Sequence, residues 1–99
     1  MIPDTSILPD KDPAESVVVE FAFDGELAAI DSAVVAVTLA AGTDATPAAL
    51  LDGALQIQGT SVLQRISGGV ADANYRLHCT ATHGEDVRVR AGIIPVRSA

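Results

Sequence analysis

The stretch Tyr75-Arg76-Leu77-His78-Cys79-Thr80-Ala81-Thr82-His83-Gly84 holds the single cysteine, the single tyrosine and both histidines of a chain of 99 residues, and its reading decides the fold. Thiol and imidazole side chains invite a metal or nucleophile site, but the period of the stretch points elsewhere. Tyr75, Leu77, Cys79 and Ala81 share one face of an extended chain, and Arg76, His78, Thr80 and Thr82 share the other. Gly68 and Gly69 before the stretch and Gly84 after it supply turns. The pattern predicts a two-faced strand with an apolar inner side.

The same parity weakens the chemical alternatives. His78 and Cys79 are consecutive and point to opposite faces, so they cannot chelate one ion together, and no further ligand cluster stands elsewhere in the chain. Cys79 between Leu77 and Ala81 lacks the base and the charged surroundings that a thiolate nucleophile needs. The expectation is an inert buried thiol with two surface imidazoles. Gly68-Gly69 lacks the spacing and following helix of a phosphate cradle, and the carboxylate pairs Asp10 with Asp12 and Glu85 with Asp86 fall in the first segment or in a turn. No catalytic residue, cofactor-binding residue, metal ligand or cofactor is expected, and the chain is not expected to be an enzyme.

Working outward, Val17, Val19, Phe21 and Phe23 alternate with Val18, Glu20, Ala22 and Asp24, and Asp24-Gly25 supplies a turn. Residues 31–39 fit either a helical stripe or an alternation; the β-branched Val34, Val35, Val37 and Thr38 favour a strand. Residues 46–53 fit a helical turn, with Thr46 as N-cap, Pro47 at the first position and Gly53 as the stop, or an irregular strand edge. Short strands are expected near 54–58 and 61–66. After the turn at residues 83–86, Val87, Val89 and Ala91 alternate with Arg88 and Arg90, and Pro95 suits an edge or a strand end. Six or seven strands at roughly ten-residue spacing predict an all-β fold, an antiparallel sandwich of immunoglobulin-like or fibronectin III-like type, over residues 16–99. Tyr75, near the start of the penultimate strand, is the candidate structural corner, its hydroxyl bonding back to nearby backbone.

Residues 1–15 differ: three of the five prolines and the charges Asp4, Asp10, Lys11, Asp12 and Glu15 erase any period. Proline fixes its own φ and biases its predecessor to extended conformations, so an extended N-terminal arm is expected. A chain of this length has room for one core, burying roughly 60–65% of its unfolded surface. With 48% hydrophobic but only 3% aromatic residues, that core must be built from Val, Leu, Ile and Ala. The formal charge of −7 and only six Lys plus Arg argue against nucleic acid as a partner. The first ten residues have acids and prolines where a secretory signal needs a basic region and an apolar run, and the uncharged run 32–41 is far short of the ~20 residues of a membrane span. Synthesis in the cytoplasm and no membrane partner are therefore expected, and a lone cysteine forms no internal disulfide.

The order and spacing of four segments resemble a family of small tailed-phage and prophage virion proteins, the fibre-tail adaptors. They are Lys11-Asp12-Pro13-Ala14-Glu15, Leu51-Asp52-Gly53-Ala54-Leu55-Gln56-Ile57-Gln58-Gly59, Val62-Leu63-Gln64-Arg65-Ile66-Ser67-Gly68-Gly69, and Tyr75-Arg76-Leu77 with the run from Val87 to Val96. Two departures stand out: Val35 and Val37 occupy a strand where relatives often carry tryptophan, and Ala71-Asp72-Ala73 replaces a more glycine-rich approach to the tyrosine. The resemblance implies a non-catalytic immunoglobulin-like virion protein, present in several copies in a symmetric assembly at the tail or neck. Its partners would be other phage proteins, those of the tail or neck and the fibre, and its place the virion, after synthesis in the bacterial host cytoplasm. On this expectation residues 1–15 form a docking arm with Ile7, Leu8, Lys11, Asp12 and Pro13 as candidate partner-binding residues, and Arg65, Arg76, Arg88, Arg90 and Arg97 are candidates for polar contacts. The alternative is a sandwich module that binds host-surface proteins or glycans; the absence of Trp, and a single Tyr with a structural role, disfavour it.

Overall fold

The computed structural model describes residues 5–98, with side chains from residue 8 onward. Its strands are β1 (Thr5–Ile7), β2 (Ser16–Ala22), β3 (Ser32–Ala41), β4 (Gln56–Gln58), β5 (Ser61–Ser67), β6 (Asn74–His83) and β7 (Asp86–Pro95). They form two sheets. One is antiparallel in the order β2-β5-β4; the other has β7-β6-β3 antiparallel, with β1 added parallel to β7. Among the described residues no helix is long and apolar enough to cross a membrane.

The inner face of β6 follows the alternation of its sequence: Tyr75, Leu77, Cys79 and Ala81 are all fully buried. They meet Phe21, Val62 and Ile66 from the other sheet, with Val35, Ile94 and Val96 completing the core. In β3 the β-branched residues do form a strand, and a bulge between Leu39 and Ala41 ends its regular pairing with β6. The 46–53 ambiguity resolves as a single 3-10 turn, Pro47–Leu50, with Pro47 in its first turn. Thr46 does not cap it through its side chain; instead Asp44 Oδ1 accepts the Thr46 N–H at 2.8 Å. Leu51 then bridges to Ile66, and the buried Gln64 donates to the carbonyls of Gly53 and Arg65, laying the 51–53 loop onto β5.

In β7 the alternation holds, but its faces are the reverse of what hydrophobicity suggests. The register sets Arg88 opposite Ala81 and Arg90 opposite Cys79, so the arginines share the parity of the core and Val87 is 51% exposed. Arg90 is accommodated at the sheet rim. Its guanidinium lies 5.1 Å from the Phe23 ring centre and pairs with Glu26, so its apolar stem covers core while its charge is met. The turn that starts β7 is held from outside the hairpin: Asp31 accepts the Gly84 N–H at 2.8 Å and lies 3.1 Å from His83 Nδ1. The glycine-poor approach to β6 leaves a trace in the backbone, because Asp72 takes a left-handed φ of 68°.

Of the expected arm, residues 1–4 lie outside the described residues, and from Thr5 onward the segment is paired to the body. Thr5, Ser6 and Ile7 pair with Ala91, Gly92 and Ile93, and the contact continues through Leu8 N–H to Ile93, Lys11 N–H to Pro95 and Arg97 N–H to Lys11. Backbone bonding of this kind needs no hydrophobic period, so the sequence pattern carries no sign of it.

Candidate docking site

The segment Leu8–Glu15 joins the two sheets. Leu8 is half-buried against the core, while Pro9 and Asp10 are exposed. Lys11 is only 2% exposed; its ammonium donates to the carbonyl of Gly68 and, at 3.0 Å, to that of Asp12. Burial lowers its pKa from the usual lysine value, against the pull of the Glu15 and Asp12 carboxylates. Residues 12–15 close as a turn. Asp12 Oδ1 accepts the Ala14 N–H, Glu15 Oε1 accepts the Asp12 N–H, and the Glu15 N–H returns to the Asp12 carbonyl. The chain then enters β2.

Between this segment and β2 lies a groove of about 300 Å³. Leu8, Val17, Val19 and Ile94 give it an apolar floor, and the exposed carboxylates of Asp10, Glu15 and Glu20 rim it. Of the residues expected to meet a partner, Leu8 and Lys11 are thus committed within the chain, Asp12 and Pro13 are half exposed in the turn, and Ile7 is placed by its backbone pairing with Ile93. Val17, Val19, Glu20 and Ile94 were not among them. In sequence they read only as strand residues, and the groove exists because main-chain bonds to β7 and the Lys11 ammonium hold the preceding segment beside them.

The arginines are mostly occupied at home. Arg90 meets Glu26; Arg97 donates to Asn74 Oδ1 and the Val96 carbonyl; Arg65 donates to Ser16 Oγ; Arg88 donates to the Val87 carbonyl; Arg76 is exposed. Tyr75 is fully buried. Its hydroxyl accepts the Val70 N–H at 2.8 Å and donates to Asp44 Oδ2 at 2.6 Å. Burial first, then the Asp44 carboxylate, raises the Tyr75 pKa, while the Tyr75 hydroxyl and the Thr46 N–H hold Asp44 below the usual carboxylate range.

Cys79 is buried, and burial alone pushes its thiol up to about 11, where little thiolate exists at neutral pH. His78 lies on the opposite face from Cys79, between Ala36 and Ala91, and is only half exposed, with Nε2 buried and without a hydrogen-bond partner among the described residues. His83 is held against Asp31. Among the described residues no group of three His, Cys, Asp or Glu side chains could hold a metal ion.

No curated protein matches the chain. A protein-family model described as podophage GP4 fiber-tail adaptor protein gp77 matches residues 11–94. The match starts at the buried Lys11 and ends at Ile94, which lines the groove, so it takes in β2 to β6 and all but the last residue of β7 and leaves out β1. The chain belongs to this family of podophage fibre-tail adaptor proteins.

Proposed function

We propose that this adaptor is a non-enzymatic joint of the virion, linking a tail or neck protein to a fibre through protein–protein contacts and present in several copies around a symmetric assembly. The observation that carries this is the family match, which spans nearly all of the paired body. The strand order supports an immunoglobulin-like sandwich. In that fold the three-stranded groups run B-E-D and G-F-C, the orders of β2-β5-β4 and β7-β6-β3 when β2 to β7 are lettered B to G. The two hydrogen bonds of the Tyr75 hydroxyl support the corner role, since one of them returns to backbone five residues upstream.

Such a body is rigid and largely self-satisfied, which suits a spacer. Docking falls to its first segment: Pro9, Asp10, Asp12, Pro13 and Glu15 present partly or fully exposed surface along it, while Lys11 and Leu8 fasten it to the body. The test is co-purification. Particles assembled with a tagged copy retain it through density-gradient purification at a fixed ratio to the tail proteins; loss of the tagged chain from mature particles contradicts the proposal.

A further inference from the structure

The groove beside β2 has an unfilled hydrogen-bonding edge. Among the described residues β2 pairs with β5 alone, and the parity of that pairing can be read from its end. Phe23 N–H donates to the Thr60 carbonyl, one step beyond the pair Ala22 and Ser61. Counting back by two, Phe21, Val19 and Val17 exchange their main-chain bonds with β5 and Val18 and Glu20 point theirs the other way. Arg65, which faces Val18, agrees: its carbonyl is turned away from β2 to accept the Asp52 N–H. Val18 is 49% exposed. A seven-residue edge with free donors and acceptors is one that proteins normally blunt or cover. β3 also ends a sheet, but a bulge interrupts it and the 3-10 turn packs against it.

We propose that the edge of β2 receives an extended strand from a tail or fibre protein, in which apolar residues alternate with Lys or Arg; this rests on the adaptor function proposed above. Main-chain bonds to Val18 and Glu20 supply the binding common to strand addition, and pockets for alternate side chains supply its selectivity. The floor of Leu8, Val17, Val19 and Ile94 takes the apolar set. The rim sets the charge. Asp10, Glu15 and Glu20 are exposed, and the one cation lining the groove, Lys11, turns its ammonium away onto the carbonyls of Gly68 and Asp12. A basic strand meets three carboxylates there, whereas an acidic one meets repulsion.

Hydrogen exchange of the protein free and in purified particles, read by mass spectrometry with fragmentation to single residues, tests this directly. The amides of Val18 and Glu20 are expected to exchange on the order of 100-fold or more slowly in particles. Equal rates in both states, with the chain present at full occupancy, overturn the strand but leave the adaptor function standing; absence of the chain from particles overturns both. Val18→Pro removes the outward N–H and breaks no main-chain bond to β5, at a position on an edge strand, so it is expected to keep its melting temperature within a few degrees and lose incorporation by tenfold or more. If that variant does not fold, Glu20→Lys answers instead, with reduced incorporation expected and full incorporation counting against the basic partner. A photo-crosslinking residue at position 20 names the occupant. An adduct with a second copy of this chain, or with a segment lacking basic and apolar alternation, overturns the stated partner.

Discussion

Tyr75 and Asp44 show how much one hydroxyl decides near the β5–β6 connection. Tyr75 receives the Val70 N–H and donates to a carboxylate, tying the turn before β6 to the loop after β3. Tyr75→Phe should therefore lower stability by about 1–2 kcal/mol, since a bond to a charged group is worth more than a neutral one and Asp44 is partly solvated. An unchanged midpoint in urea would remove the corner role. The pH dependence has a definite sign. Asp44 is held below the usual carboxylate range, so the folded state keeps it ionised after the unfolded chain, titrating near 3.9, has begun to take up the proton. Its contribution is present above about pH 4 and is lost as pH falls through the lowered pKa. The gap in melting temperature between the wild type and Asp44→Asn should be constant from pH 7 to about 5 and shrink below about 4; a gap that widens in acid would contradict it.

Among the elements, β6 and β2 were legible because their alternation coincides with burial: the residues that face the core are apolar, although β2 also carries Val18 and Ala22 on its outer face. β7 breaks that coincidence. Arg90 carries core parity because its stem lies by Phe23 and its head finds Glu26, a partner 64 positions away that no local period marks. Lys11 was illegible for a related reason, since a lysine in a run of acids and prolines reads as solvated and its actual partners are carbonyls, which every residue carries. Lys11→Met keeps the stem and deletes the ammonium, leaving the Gly68 carbonyl without this donor. The expected cost is about 1–3 kcal/mol. Hydrogen exchange should also speed up at the Leu8 and Lys11 amides, which bond to Ile93 and Pro95, before it does at β6. Uniform acceleration across both sheets would mean that Lys11 does not specifically fasten the segment.

For the whole molecule, the two antiparallel groups share one core and β1 is an addition to its rim. Deleting residues 1–10 removes β1, Leu8 and one wall of the groove while sparing the Lys11 anchor and the region matched to the adaptor family. The truncated chain should fold, with a melting temperature about 5–10 °C lower, the shift of a loss of 1–2 kcal/mol in a domain of this size. It should fail to enter particles. Truncated protein at full occupancy would show that docking lies elsewhere on the body. The two-sheet architecture was readable from strand spacing alone, whereas the groove was not. It arises where a backbone-paired segment and a strand edge meet, and neither has a sequence signature.

Crosslinking mass spectrometry on purified particles tests most directly whether the chain joins two different proteins. The expected result is crosslinks from residues 8–20 to one virion protein and from other faces of the body to a second, one of the pair being a fibre protein. Crosslinks confined to further copies of this chain, or to a single partner from every face, would contradict a linking role.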